Sequence, residues 1–398
     1  MVISMNYKVK IDKLDNYGRG ICYIENKITF VENTLPEEII EIILTKETSK
    51  YNEGKVINYL NKSNLRETPI CPKYDVCGGC HLMHMSYFDE LNFKEKKVKD
   101  ILYKYGHIDI NKVNKIIGND KLNYRNKAIF KVKKEVGYYK EKTNILVPID
   151  NCFLVDDKIN NILTEIKKID LSYINEVEIR VSEIEEMVIF RGDKIDISKL
   201  PFKNILLNDQ VLRGNNYIIY PLKNYQFYIS PNSFFQVNKY SLINLYDKIK
   251  EYVNHSNNLL DLYCGTGSIG IYLSDIAEKI TGVEINESAI IDANKNKELN
   301  HLDNINFICL DASKYKLQDN FDTIVVDPPR SGLTKEVISY LLNSNSEKIV
   351  YVSCNPITLA RDLDSLKEKY DIIEITPVDM FKYTYHVESV TLLCRKPL

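Results

Sequence analysis

The residues with the most chemical potential sit where apolar runs end. Lys348 to Val352 is a buried-type run that leads straight into Ser353-Cys354-Asn355-Pro356. Thr323 to Val326 leads in the same way into Asp327-Pro328-Pro329-Arg330. The prolines stiffen both loops and forbid helix continuation, so a group just ahead of them is held in place. Cys354 therefore reads as a positioned thiol nucleophile. The competing reading is a buried core cysteine, since free cysteine is among the most buried residue types. The strand-end position beside Asn-Pro favours chemistry.

A second constellation is Asp261-Leu262-Tyr263-Cys264-Gly265-Thr266-Gly267-Ser268-Ile269-Gly270, which follows an apolar run and opens a helical pattern. Its glycines spell G-x-G-x-x-G, a spacing that lets the backbone turn tightly and approach a ligand closely. Glu284 ends the next apolar run, placed to accept hydrogen bonds from ribose hydroxyls. A dinucleotide fits these features as well as S-adenosylmethionine does. Three details favour adenosylmethionine. Asp261 lies just before the glycines, suited to a cationic amino-acid tail, and Asp311 ends the following run, suited to an adenine amine. Tyr263, Glu284 and Asp311 also share the carboxyl rim of the strands, where such sheets bind cofactors, with Ser268 in the same loop.

Nine cysteines is an odd number and argues against a simple disulfide framework. Cys71, Cys77 and Cys80 are separated by five and two residues, and Cys152 follows after a further 71. Four thiolates suit tetrahedral zinc or an iron–sulfur cube, and composition does not choose between them. His81 and His84 lie close enough in sequence to replace Cys152 in a zinc site.

The elements that must position these groups fall into three expected domains. Residues 1–61 hold short alternating runs (Tyr7 to Ile11, Ile28 to Val31, Ile39 to Leu44) broken by turn residues, which suits a small OB-type barrel. Residues 62–229 carry the cysteine segment, then a helix near 87–106 with Val98, Ile101, Leu102 and Tyr105 at helical spacing, expected to pack on the catalytic domain. From 230 to 398, buried-type strands (Asn258 to Leu262, Lys279 to Val283, Asn306 to Leu310, Thr323 to Val326, Lys348 to Val352) alternate with helical stretches. That is the pattern of a largely parallel α/β sheet.

With 53 basic and 55 acidic residues the formal net charge is −2, so any nucleic-acid contact must come from local patches. Lys94 to Lys104 and Tyr124 to Lys134 are the candidate patches. No segment is long and apolar enough to span a bilayer, and Met1 to Leu14 has no signal-peptide core, so a cytoplasmic location is expected.

Taken in order, the motifs resemble the uracil-C5 RNA methyltransferase family, and its ribosomal-RNA branch in particular. The resemblance covers essentially the whole chain. An N-terminal TRAM-like barrel precedes Cys71-Pro72-x4-Cys77-Gly78-Gly79-Cys80 and then Ser230-Pro231-Asn232-Ser233-Phe234-Phe235-Gln236-Val237-Asn238. The glycine loop, Asp327-Pro328-Pro329-Arg330, Ser353-Cys354-Asn355-Pro356 and His386-Val387-Glu388 follow. The resemblance implies a multidomain α/β protein: an OB-like TRAM β-barrel, a central α+β iron–sulfur domain and a C-terminal Rossmann-like methyltransferase domain. It implies Cys354 as nucleophile, Glu388 as general base, and Gln236 and Asp327 at the junction of cofactor and uracil. It implies a [4Fe-4S] cluster on Cys71, Cys77, Cys80 and Cys152. Arg330 and Arg361 are read as touching phosphates or holding loops. In one place the chain departs from the family, which often carries Met-Phe-Pro-His-Thr where this sequence has Met380-Phe381-Lys382-Tyr383-Thr384. That change bears on how the loop before Glu388 is braced.

The expected partner is 23S ribosomal RNA with a flipped uridine, with Phe234, Phe235, Tyr383 and Tyr385 available to stack on displaced bases. No obligatory protein partner is implied, and a monomer is expected. The alternatives are the same chemistry on the T-loop uridine of transfer RNA, a catalytically silent RNA-binding factor, and, more remotely, a dinucleotide oxidoreductase.

Overall fold

The computed structural model describes residues 5–315 and 320–397. The first four residues, part of the segment read as lacking a signal sequence, lie outside them. The chain divides into two compact units: residues 1–97, 138–147 and 381–385 form one, and 98–137, 148–380 and 386–398 the other.

In the first unit, six strands form one sheet in the order Asn6–Lys10, Ile39–Glu47, Asn52–Asn61, Lys27–Val31, Gly20–Ile24, Lys13–Leu14. Alternation directs Val9, Cys22, Ile24, Val31, Ile40 and Ile42 into a shared core. The long pair Ile39–Glu47 and Asn52–Asn61 changes register three times. Such irregularities bend strands and raise their twist, as a small curled sheet requires. The segment Leu82–Met85 is pinned beneath by Leu35.

Among the described residues, the second unit contains the two-stranded hairpin of Ile218–Leu222 and Tyr225–Ile229 and two larger sheets. In the first of them, the strands wholly inside this unit run in the order Gln210–Arg213, Asn204–Leu207, Glu186–Gly192, Ile174–Val181, Lys127–Val132. The other has seven strands in the order Ile305–Cys309, Ala277–Glu284, Ser256–Leu262, Thr323–Val326, Lys348–Ser353, Glu388–Arg395, Tyr370–Val378. Its first five strands are mutually parallel, and Glu388–Arg395 runs against them, antiparallel to Lys348–Ser353 on one side and to Tyr370–Val378 on the other. The central strand Thr323–Val326 is buried along its whole length, because both its faces are covered. Helical spacing brings Val98, Ile101 and Leu102 into the same core as Leu260, Val326, Tyr351 and Leu363. Order reverses at Ser256–Leu262, which pairs with Ala277–Glu284 on one side and Thr323–Val326 on the other. Ligands of open α/β sheets bind beyond the carboxyl ends at such a switch point. Among the described residues, no helix is long and apolar enough to cross a membrane.

Candidate active site

The glycine loop lies at that switch point. After Leu262 the chain turns sharply, with the Tyr263 and Cys264 N–H groups both reaching the Val283 carbonyl (2.9 and 3.1 Å). Tyr263 is held at φ +64°, a left-handed conformation a tyrosine rarely adopts and one that clusters at ligand sites. Gly265 (φ +55°) faces open space, whereas a Cβ on Gly267 (φ +76°) would lie 2.4 Å from the Phe307 ring. The first glycine thus leaves room for a ligand and the second for the sheet. Gly267 caps the short helix Ser268–Tyr272, and the Tyr246 hydroxyl holds Ser268 Oγ at 2.7 Å.

Glu284 turns toward this loop. Its Oε2 accepts the Gly265 N–H at 3.3 Å and its Oε1 the Asn286 N–H at 2.9 Å. Asp311 falls just past its strand, which ends at Cys309. It caps a turn of 3-10 helix by accepting the Ser313 N–H and hydroxyl, hydrogen bonds that hold its carboxyl below the usual range. Asp261 is completely buried; its Oδ2 accepts the Gly270 N–H at 3.1 Å, and its Oδ1 has no hydrogen-bond partner among the described residues. A buried carboxylate oxygen without a partner is costly. Burial, reinforced by Asp327 and Glu284, pushes this acid up to about 8. A cationic ligand group would supply the missing partner.

One strand further along the rim, Asp327 follows Val326; burial pushes its carboxyl up to about 7. Cys354 follows Ser353, and Asn355 then caps the helix Pro356–Leu366 with proline at its first position. The antiparallel strand Glu388–Arg395 returns with Ser389 paired to Ser353, so continuing the register sets Glu388 opposite Cys354. Their mutual influence agrees. Burial, then Glu388 and Asp327, raise the Cys354 thiol to about 11, with the Arg330 guanidinium opposing. Burial and Asp327 raise Glu388 to about 8, again against Arg330. Cys354, Asp327, Glu388 and Arg330 therefore form one electrostatic group, coupled through Asp327 to Asp261.

The loops are braced from below. Asn355 Nδ2 donates to the Arg330 carbonyl (3.1 Å), and the Arg361 guanidinium donates to the Ser331 and Leu333 carbonyls (3.0 and 3.1 Å). Gln236 is set by groups the sequence did not point to. Buried Arg180 donates to the Ser230, Pro231 and Ser233 carbonyls (3.1, 2.7 and 2.8 Å), while Asp292 Oδ2 accepts both serine hydroxyls. Asn126 Nδ2 donates to the Gln236 carbonyl at 3.1 Å. The only sequence signal for Arg180 was the polar face Glu176, Glu178, Arg180 at period two. Phe234 and Phe235 separate: Phe235 is buried against Tyr220 and Phe227, and Phe234 is 69% exposed.

Several expectations are corrected. Lys94 is fully buried against Glu90, and Lys97 is largely buried on the Tyr385 carbonyl, so neither belongs to an RNA-facing patch. Lys127 and Lys131 are engaged by Glu178 and Glu176. Tyr385 is packed against Tyr17 and His81 rather than presented to a base. His84 is no metal ligand, because its Nδ1 lies 2.6 Å from the Tyr74 hydroxyl and its Nε2 3.4 Å from the Thr34 carbonyl. Cys71, Cys77 and Cys80 share one loop of the first unit, and Cys152 belongs to the second unit. Among the described residues, no three His, Cys, Asp or Glu side chains are arranged to hold a metal ion. No chemical step here depends on a metal cluster.

Residues 197–396 match the tRNA (Uracil-5-)-methyltransferase family and residues 6–57 match the TRAM domain. An uncharacterised RNA methyltransferase of Clostridium tetani is 36% identical, spanning 98% of this chain and 96% of its own. Another from Caldanaerobacter subterraneus is 34% identical over 99% of both chains. Among solved structures, the Pyrococcus abyssi tRNA (uracil-54, C5)-methyltransferase in complex with S-adenosyl-L-homocysteine superposes with a TM-score of 0.81. It is 29% identical and covers 97% of this chain and 100% of that one. The chain belongs to the tRNA (uracil-5-)-methyltransferase family and carries a TRAM domain at its N-terminal end.

Proposed function

We propose that this protein methylates C5 of a uridine in 23S ribosomal RNA, with S-adenosylmethionine as methyl donor and Cys354 as nucleophile. The observation that carries the reading is the antiparallel register that sets Glu388 opposite Cys354, beside Asp327 and next to the glycine loop. The cofactor's sulfonium supplies an electrophilic methyl that unactivated uracil C5 does not attack. Asp261, with its partnerless buried oxygen, is assigned to the cofactor's cationic amino group; Glu284 is assigned to the ribose, and Tyr263, Ser268 and Asp311 complete the cofactor-facing loop.

The Cys354 thiol loses its proton to solvent as its sulfur bonds to uracil C6, which moves the ring electrons to C5 as an enolate. Gln236 and Asp327 are assigned to the uracil edge, where they stabilise that charge. Once C5 carries the methyl, Glu388 removes its remaining hydrogen as a proton. The freed pair restores the C5–C6 double bond and expels the Cys354 thiolate. A base in this role is worth about 10²- to 10⁴-fold in rate.

The choice of RNA is open to a second reading. The TRAM domain and cysteine segment resemble the ribosomal branch, but the Pyrococcus abyssi tRNA enzyme matches along its whole length, so architecture alone does not discriminate. Transfer of labelled methyl to unmodified ribosomal and transfer RNA, with Cys354→Ala alongside, decides. Label at uridine C5 in ribosomal RNA, lost in the variant, is expected. Label confined to transfer RNA would install the second reading, and turnover by the variant would remove Cys354 from the mechanism. The [4Fe-4S] assignment to Cys71, Cys77, Cys80 and Cys152 rests on spacing and resemblance. Anaerobically purified protein should carry about four irons and four labile sulfides per chain.

A further inference from the structure

Residues 381–385 immediately precede His386-Val387-Glu388, and here the chain has Lys382-Tyr383 in place of the family's frequent Pro-His. The stiffness a proline would give is lost, yet Tyr383 is held at φ +67°, a conformation that needs outside support in a residue with a bulky side chain. The support comes from the helix Tyr87–Gly106. Glu90 and Lys94, one turn apart on it, are both completely buried and paired at 2.6 Å. Glu90 Oε1 also accepts the Tyr383 N–H at 2.7 Å, and Lys94 Nζ donates to the Phe381 carbonyl at 3.1 Å. The Tyr383 carbonyl accepts the His81 and Leu82 N–H groups (2.7 and 3.1 Å), and Lys97 Nζ donates to the Tyr385 carbonyl at 2.8 Å. Lys382 lies over the Tyr87 and Tyr383 rings, 4.7 and 4.8 Å from their centroids.

Removing two charges from water to pair them in a core is a poor route to stability; apolar side chains of the same volume usually do as well. What the pair delivers instead is direction, an acceptor and a donor aimed at two backbone groups two residues apart. We infer that Glu90 and Lys94 are positioning residues for the reaction, clamping the strap 381–385 so that Glu388, three positions further on, enters its strand with the carboxylate aimed at the C5 hydrogen. The inference rests on the proposed role of Glu388. It also accounts for how a chain lacking the proline keeps that loop in one conformation.

Two double variants in the full chain test it. In Glu90→Leu with Lys94→Met, no charge is left buried alone, but the acceptor for Tyr383 and the donor for Phe381 are gone. In Glu90→Gln with Lys94→Met, the amide oxygen still accepts the Tyr383 N–H. We expect the first to keep its affinities for RNA and for adenosylmethionine while kcat falls about 10²-fold, the usual consequence of a misplaced catalytic group. It should also accumulate a methylated, covalent protein–RNA adduct, because methyl transfer precedes proton removal. The second should recover most of the turnover. Equal turnover in both double variants and the wild type overturns the inference, as does a loss that appears in those affinities without adduct. Hydrogen exchange at the Tyr383 amide reads the clamp without activity: exchange should be at least about tenfold slower in the wild type than in the first variant. An unprotected Tyr383 amide in the wild type overturns the inference. Protection in a wild type that methylates no RNA would instead locate the failure in the proposed function.

Discussion

Asp261→Asn should make the ligand-free protein more stable and its cofactor binding weaker. The wild-type carboxyl is held near 8 against an ordinary value of 3.8, chiefly by burial and then by Asp327. Its folded-state value is raised, so the folded protein keeps a proton that the unfolded chain releases. Stability from this group is therefore intact below pH 4 and falls as pH climbs toward 8. About three pH units separate 3.8 from pH 7, at ~1.4 kcal/mol each, which bounds the penalty at roughly 4 kcal/mol. Asp327 shares the same field and titrates with it, which reduces the recoverable part to about 1–3 kcal/mol. Asparagine keeps an oxygen for the Gly270 N–H and has no charge to bury. We expect a midpoint increase of about 2–6 °C at pH 7.5, shrinking toward zero at pH 4. Adenosylmethionine affinity should fall about 10- to 150-fold, the worth of one charged hydrogen bond. Thermal unfolding across pH 4–8.5 and calorimetric titration with adenosylhomocysteine measure both. A variant less stable than wild type at pH 7.5, or one that binds cofactor equally well, would refute the assignment of Asp261.

In its proposed role Glu388 must be ionised to take the C5 proton, and burial, then Asp327, raise its carboxyl to about 8 in the free protein. The base form thus accumulates only as pH rises, so decay of the methylated covalent adduct after a single turnover should speed up about tenfold per unit from pH 6 before levelling above 8. A profile flat across pH 6–8 would exclude it as the base. Glu388→Gln should trap the methylated covalent adduct, visible as a slow band on a denaturing gel; clean release of product would assign proton removal elsewhere. The two adjacent phenylalanines should part company. Phe234→Ala should lower kcat/KM for RNA by about 5- to 150-fold at an unchanged melting midpoint, the worth of one base stack. Phe235→Ala should lose about 3–5 kcal/mol of stability, as for other buried phenylalanines. Equal behaviour of the pair in both assays would contradict the placement of Phe234 at the RNA.

What the sequence made legible was local. The apolar runs at 258–262, 279–283, 306–310, 323–326 and 348–352 all correspond to strands, because buried parallel strands are continuous apolar segments and helices intervene at regular spacing. The glycine loop and the strand-end position of Cys354 rest on turn chemistry confined to a few residues. What stayed illegible depends on partners far away in the chain. Nothing near Glu388 announces that it opens an antiparallel strand, and only that return sets it opposite Cys354. Phe234 and Phe235 are chemically identical neighbours in a loop, where no periodicity says which of them is covered. Arg180 braces the Gln236 loop from 50 residues upstream. The lysines of 94–104 looked like a solvated basic run, although the Glu90–Lys94 spacing already allowed an ion pair on one helix face.

With a net charge of −2 the chain has no global field to draw in a polyanion. The proposed reaction centre gathers Asp261, Asp327 and Glu388, which as three carboxylates would repel a phosphate backbone. Burial raises all three to between about 7 and 8, so near neutral pH the ligand-free site carries much of this acid in proton-bearing form. A cationic cofactor at Asp261 reverses that for one group, since an opposite charge favours the ionised form. Adenosylmethionine binding should then release a proton near pH 7 but not at pH 9, where the carboxyl is already ionised. The same desolvation that burdens the empty site thus couples cofactor occupancy to the charge RNA meets, and it leaves Glu388 needing a precisely held approach to a base form it adopts only reluctantly.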